Sequence, residues 1–172
     1  MNSICLDGRI IPADQPVLMA GNRSYRYGDG LFETMRYKEG KICLEDYHFE
    51  RLFLGLASLG FAWHTSFTRE KLKEDISRLC ELNKCGRLAR IRLSVSRGNG
   101  GLFDNEAMFA QYLVECWPLD VSTEELNQTG FVIDTYTGSR KSCDAFSGIK
   151  SANCLPYVMA ARYAKINKLD DA

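Results

Sequence analysis

The side chain best suited to covalent chemistry is a lysine near the end of the chain. Lys150 follows the apolar residue Ile149 and precedes a segment of helical periodicity that starts near Asn153. Apolar neighbours disfavour the ammonium form, and a neutral amine can form a Schiff base with a carbonyl compound. Most lysines are solvated surface charges. The interpretation of Lys150 therefore depends on the residues that accompany it.

Two arginines could bind anions. Arg51, in the segment HFERL at 48–52, lies near the edge of an apolar helical stripe. Its guanidinium could hold a phosphate with a planar fork, or its stem could pack on the protein while the charge reaches water. Arg97 follows a strand and opens a glycine-rich loop, SRGNGG at 96–101. It could bind a substrate carboxylate, or be an ordinary exposed arginine at a strand end.

A third segment, YGDGLFE at 27–33, leads from turn glycines into a strand. Successive side chains of a strand point to opposite faces, so Phe32 and Glu33 cannot face the same pocket. Phe32 is the candidate pocket residue. Glu33 is expected to be a structural partner of an arginine such as Arg36.

The three segments and GIKSANCL at 148–155 occur in an order and spacing that resemble the class IV aminotransferases, the fold-type-IV enzymes that use pyridoxal 5′-phosphate (PLP). Members include branched-chain and D-amino-acid aminotransferases and aminodeoxychorismate lyase. The resemblance implies that Lys150 binds PLP as a Schiff base and moves the Cα proton of the substrate. It places Arg51 on the cofactor phosphate and Phe32 in the substrate cavity.

The resemblance leaves the reaction open. The glycine-rich loop with Arg97 is more similar to that of aminodeoxychorismate lyases, which eliminate pyruvate and form p-aminobenzoate. The alternatives are a branched-chain or D-amino-acid aminotransferase, and a non-catalytic fragment or assembly module.

Family members are commonly homodimers, so a homodimer is expected. In the family, the carboxylate that pairs with the pyridine nitrogen lies beyond the last residue of this chain, so the sequence predicts an incomplete unit that is inactive alone.

Composition limits the other possibilities. The 22 basic and 22 acidic residues balance, which gives no support for nucleic-acid or membrane-surface binding. The sequence has no long apolar run and no secretory signal pattern, so a cytoplasmic location is expected. The seven cysteines are irregularly spaced, and the closest pair, Cys80 and Cys85, has no second cluster nearby in the sequence. Reduced thiols without a metal site are therefore expected.

Periodicity predicts an α+β fold in two lobes. The pattern indicates a strand pair over 3–11 and a hairpin whose strands cover 32–37 and 41–44. It then predicts a helix from about 45 to Gly60, a second helix capped by Thr68, and strands over 90–96, 108–117 and 131–137. A final helix is expected from near Asn153, with Pro156 in its first turn.

These elements divide into two predicted domains. Residues 1–120 would form an N-terminal sheet with two helices. Residues 121–172 would begin a C-terminal, barrel-like PLP-binding domain that is incomplete.

Overall fold

An antiparallel sheet forms the centre of the larger part of the molecule. The computed structural model describes residues 2–104 and 109–172. Within them the strands run in the spatial order β2-β1-β6-β5-β3-β4, and every neighbouring pair is antiparallel. The strands are β1 (Ser3–Leu6), β2 (Arg9–Pro12), β3 (Gly30–Lys38), β4 (Lys41–Ile42), β5 (Leu88–Ser96) and β6 (Gln111–Pro118).

Four α-helices accompany the sheet strands along the described chain: α1 (Arg23–Tyr27), α2 (Glu45–Ser58), α3 (Arg69–Leu82) and α4 (Leu155–Ile166). The periodicity of the sequence correctly predicted α2, α3 and α4, and the side chain of Thr68 caps α3 by accepting the backbone N–H of Lys71. Both predicted hairpins are also confirmed. None of the helices among the described residues has the length and apolar character needed to cross a bilayer.

Two predictions from periodicity differ from the structure. Residues 131–137 do not form a strand; Ile133 makes an isolated parallel bridge with Asp171, and no described strand pairs with the segment. The apolar pattern of residues 131–137 was therefore not enough to predict a strand, because a strand also needs a hydrogen-bonded neighbour. Helix α1 was not predicted, since five residues are too few to show a helical period. The predicted start of the strand at Met108 lies outside the described residues, and β6 begins at Gln111.

One face of the sheet is covered by α2 and α3. Along β3 the buried side chains of Leu31, Met35 and Tyr37 lie on this face, and β5 and β6 show the same alternation of buried and more exposed positions. The buried set packs against helix residues such as Phe49 and Ile76 to form the core. The intervening side chains of β3, including Phe32, point to the opposite face. The alternation therefore separates a packed face from a less buried face.

The chain forms two compact units. The first comprises Met1–Asp120 together with Ile149–Ala152, and the second comprises Val121–Gly148 and Asn153–Ala172. The four residues around Lys150 thus belong to the first unit, which the sequence did not predict. In the second unit most apolar side chains of α4 are exposed, and Ala164 is the buried residue of this helix.

A buried carboxylate ties α3 to the sheet. Asp75 has no exposed surface, and it accepts bonds from the Tyr112 hydroxyl at 2.6 Å, from Lys71 Nζ at 2.9 Å and from Arg78 Nη2 at 3.2 Å. Burial and the bond to Asp75 raise the pKa of Tyr112. The hydroxyl therefore stays protonated and donates to Asp75.

We expect Asp75→Ala to lower the free energy of unfolding by about 2–3 kcal/mol, because it leaves the Tyr112 hydroxyl buried without its acceptor. Urea unfolding followed by circular dichroism measures this difference. Glu74→Ala is the matched control, because the Glu74 side chain is 68% exposed and lies 3.5 Å from the same Lys71 nitrogen. Equal unfolding curves for the two variants would contradict a stabilising role for Asp75.

Candidate functional site

The segment Ile149–Ala152 lies along the free edge of β3. The N–H of Phe32 donates to the carbonyl of Lys150 at 3.0 Å, and the N–H of Ala152 donates to the carbonyl of Gly30 at 2.8 Å. Leu31 and Ser151 form the antiparallel bridge between these bonds. The edge is open here because β4 pairs with the far end of β3. Backbone pairing therefore brings Lys150 to the first residues of β3.

A glycine in α2 makes room for this segment. A Cβ atom at Gly55 would lie 3.1 Å from Leu31 Cδ1 and 3.4 Å from Ile149 Cγ2. Both distances are at or below the lower end of ordinary carbon contacts. Ile149 packs against the core at this point. The absence of a side chain at Gly55 thus allows α2, β3 and the lysine segment to approach one another.

Glycines also shape the entry to β3. Gly28 ends α1 in the left-handed conformation with φ of 70°, as the turn interpretation of this segment expected. Gly30 is required for another reason: a Cβ atom there would lie 2.7 Å from the carbonyl oxygen of Val95 and 2.6 Å from Ser24 Oγ. Any larger residue would push β3 away from β5.

Phe32 is flanked by two cationic groups. Lys150 Nζ lies 4.5 Å from the centre of the Phe32 ring, and Arg92 Cζ lies 4.0 Å from it. Both distances suit cation–π interaction. Arg92 was missed by sequence reasoning, although the alternation of β5 placed it on the same face as Ser94, the register partner of Phe32. An aromatic platform with an amine and a guanidinium can hold an anionic, planar molecule.

Glu33, the next residue, points to the packed face and holds Arg51. The Glu33 side chain is 2% exposed, and its two oxygens accept Arg51 Nε at 2.7 Å and Arg51 Nη2 at 2.6 Å. His48 Nδ1 lies 2.7 Å from Glu33 Oε2. The expectation that Glu33 pairs with an arginine is confirmed, and the arginine is Arg51. Arg51 comes from α2 and approaches from the packed face.

The pairing orients the Arg51 guanidinium. The hydrogen bond from Arg51 to Glu33 raises the pKa of Arg51 above its already high value, so the side chain stays charged. Glu33 engages Nε and Nη2, and the Arg51 side chain remains 47% exposed. Among the described residues Nη1 makes no hydrogen bond, so this side of the guanidinium could donate to the phosphate that the sequence predicts.

Arg97 is engaged elsewhere. Its Nε donates to Asp29 at 3.0 Å, and its two terminal nitrogens donate to the carbonyls of Leu59 and Gly60 at 2.7 and 3.0 Å. Its Cζ lies 4.0 Å from the centre of the Phe61 ring. These bonds tie the end of β5 to the end of α2. Substrate binding by Arg97 stays a prediction, and the contacts that Arg97 makes are structural.

Comparison with known proteins identifies the family. The model for "Amino-transferase class IV" matches residues 30–172. The chain belongs to the class IV aminotransferase family. The match begins at Gly30 and covers Phe32, Arg51, Arg97 and Lys150.

Relatives within the family differ in activity. D-alanine aminotransferase from Staphylococcus epidermidis is 27% identical over 167 residues, which cover 95% of this chain and 57% of that enzyme. Aminodeoxychorismate lyase from Bacillus subtilis is 36% identical over 97 residues, covering 55% of this chain and 32% of the lyase. The chain thus spans little more than half the length of the D-alanine aminotransferase. The differing names of these relatives leave the specific reaction open.

Solved class IV structures share the fold. The branched-chain aminotransferase of the thermophilic archaeon Thermoproteus uzoniensis, with norvaline, superimposes with a TM-score of 0.78 at 21% identity, over 98% of this chain and 57% of that one. The branched-chain amino acid aminotransferase of Escherichia coli gives a TM-score of 0.80 at 16% identity, over 98% of this chain and 56% of that one. The likeness confirms the α+β, fold-type-IV architecture expected from the sequence.

Proposed function

We propose that the protein is a PLP-dependent class IV enzyme that acts at the Cα of an amino-acid-type substrate, with Lys150 as the reactive amine. This proposal rests mainly on the position of Lys150. Its segment pairs with the edge of β3, and its Nζ lies 4.5 Å from the centre of the Phe32 ring. The backbone of the lysine segment pairs with β3 and the neighbouring Ile149 packs at Gly55, so the position of Lys150 on the strand edge is fixed.

The described residues fit the cofactor. PLP carries an aldehyde, an aromatic ring and a phosphate, which call for an amine, an apolar surface and a guanidinium. Lys150 and Phe32 supply the first two. Arg51 supplies the third, because Glu33 fixes its guanidinium with one side left for an anion. Phe32 and Glu33 are consecutive but point to opposite faces of β3, so a cofactor that contacts both Phe32 and Arg51 would lie around the free edge of the strand, where the Lys150 segment pairs.

Each residue then has a defined task. When bound, PLP supplies a ring that withdraws the electrons left behind when the Cα proton is removed. Lys150 would anchor the cofactor and would move this proton, since its Nζ lies 4.5 Å from the centre of the Phe32 ring. Arg51 holds the phosphate, and Glu33 and His48 hold Arg51. Arg92, with its guanidinium over Phe32, is placed to bind a carboxylate of the substrate.

The reaction we favour is that of an aminodeoxychorismate lyase. The support from Arg97 is weaker than the sequence suggested, because its donors bond protein groups. Arg92 takes its place as the cation suited to a carboxylate-bearing substrate, and the lyase from Bacillus subtilis is 36% identical over the segment it shares with this chain. The second candidate is an aminotransferase, which the S. epidermidis relative supports over a longer stretch.

The two reactions differ in whether they need a keto acid to accept the amino group. We expect the full-length protein, loaded with PLP, to release pyruvate from aminodeoxychorismate when no keto acid is present, measured with lactate dehydrogenase and NADH. Turnover of D-alanine or branched-chain amino acids that depends on an added keto acid would replace the lyase with an aminotransferase. A folded protein that binds no PLP would support a non-catalytic module instead.

A homodimer and a cytoplasmic location stay predictions. Light scattering, which measures the molar mass in solution, tests whether the protein is a homodimer.

A further inference from the structure

Three buried cysteines converge between α3 and the sheet, on residues that the proposed enzyme site does not use. They are Cys80 in the last turns of α3, Cys85 in the turn that follows, and Cys116 in β6. Their Sγ atoms all lie within 4.8 Å of one another, and each residue is at most 4% exposed. Sequence spacing did not reveal the third cysteine, because it lies 31 residues after Cys85.

The backbone of three elements fixes this arrangement. The N–H of Cys85 donates to the carbonyl of Cys80 at 3.0 Å, which folds the chain back after α3. Cys116 pairs in register with Ile91 of β5, so its side chain faces the helices. The Cys85 and Cys116 sulfurs lie 3.3 Å apart. The three sulfurs are therefore held together by the tertiary fold and not by a flexible loop.

We propose that Cys80, Cys85 and Cys116 form a three-coordinate thiolate site for Cu(I). Soft sulfur ligands select soft ions, and Cu(I) is among them. With metal–sulfur bonds of about 2.3 Å, three sulfurs in a plane around one ion lie about 4 Å apart. The Cys85 and Cys116 sulfurs, 3.3 Å apart, are closer than this, and no separation in the cluster exceeds 4.8 Å. Small side-chain rotations suffice to reach it.

A structural zinc site fits less well. Zinc in such sites takes four ligands in a tetrahedron, usually from cysteine and histidine. His48 bonds Glu33, and His64 stacks on Phe109 at 4.0 Å between ring centres. Neither imidazole is part of the cluster, whose members among the described residues are three thiols. Three sulfur ligands and dry surroundings match the coordination of Cu(I) better.

The residues around the three cysteines would allow a Cu(I) ion to enter and bind. Each coordinating thiol gives up its proton, so one ion displaces up to three protons and no electron is transferred. Asn83 Nδ2 donates to Cys116 Sγ at 3.2 Å and would stabilise the thiolate. Cys85 lies between the exposed residues Lys84 and Gly86. A single surface turn therefore separates the sulfurs from water, and its opening would admit the ion.

An anaerobic competition titration tests the proposal. Reduced protein is added to Cu(I) held by bicinchoninate, and loss of the coloured chelate reports transfer. We expect one ion per chain, a thiolate-to-copper absorption band in the ultraviolet, and a rise in Tm, because the ion binds the folded state. Cys85→Ser and Cys116→Ser should each weaken binding at least about tenfold. Cys5→Ser is the matched control, since Cys5 is fully buried on the same face but outside the cluster.

Three outcomes would overturn the site. They are no transfer of Cu(I) to the folded protein, equal affinity in the cluster variants and the wild type, and loss of binding in Cys5→Ser to the same degree. Circular dichroism establishes that each variant is folded. Cys85→Ser keeps the test decisive if Cys116→Ser fails to fold, because Cys85 lies in a surface turn and not inside the sheet. The test uses no PLP and is independent of the proposed enzyme activity.

Discussion

In the full-length protein, Lys150→Arg should abolish turnover while leaving the protein folded. The guanidinium keeps the positive charge over Phe32 but stays protonated and cannot react with the cofactor aldehyde. We expect activity to fall by at least about 10³-fold, because a positioned proton-transfer group alone contributes about 10²–10⁴-fold. Steady-state assays of either candidate reaction measure this loss.

A labelling experiment identifies the lysine directly. Borohydride reduction in the presence of PLP should leave a pyridoxyl group on the peptide that contains Lys150. Lys141→Arg is the matched control, because Lys141 is an exposed lysine outside the segment that pairs with β3. Labelling of Lys141, or equal activity of the two variants, would remove Lys150 from the proposed role.

Arg51→Ala should weaken PLP binding by about 1.5–3 kcal/mol, the range for a hydrogen bond to a charged group. Arg51→Lys should recover only part of the loss, because an ammonium cannot bond Glu33 and a phosphate with one planar fork. Fluorescence titration with PLP gives the affinities. The raised pKa of Arg51 predicts that the guanidinium stays charged both at pH 6 and at pH 9.

Stability must be measured alongside affinity for the Arg51 variants. Removing Arg51 takes away both guanidinium hydrogen bonds to the buried Glu33 carboxylate, and this should lower Tm. Arg69→Ala is a suitable control, because Arg69 is a partly exposed arginine that bonds the exposed Asp46. If the Arg51 variants lose stability but bind PLP with unchanged affinity, Arg51 has a packing role only.

Local patterns predicted the elements, and long-range pairing determined the site. The apolar stripes of α2 and α3 and the alternation of β5 reflect burial of one face, which is visible within a few residues. The apolar pattern of residues 131–137 predicted a strand that the structure does not contain, because no strand of the described chain pairs with this segment.

The partners of individual side chains were less predictable. Alternation correctly placed Phe32 and Glu33 on opposite faces, but it could not show that Glu33 meets Arg51 across the helix–sheet interface. It also could not show that Cys116 meets Cys80 and Cys85, since that contact depends on how α3 lies on β6. Spacing along the chain carries no information about such contacts until the fold is known.

The pairing of Lys150 with β3 also has a consequence for folding kinetics. Most of the chain lies between Phe32 and Lys150, so closing this contact costs more loop entropy than forming any hairpin of the sheet. Two backbone hydrogen bonds to β3 and the packing of Ile149 hold the segment in place. It should therefore be among the last contacts to form during folding and among the first to open in the native state. Amide hydrogen exchange at Ala152 would then be faster than exchange in the centre of β5, and a ligand that binds Lys150 would slow it.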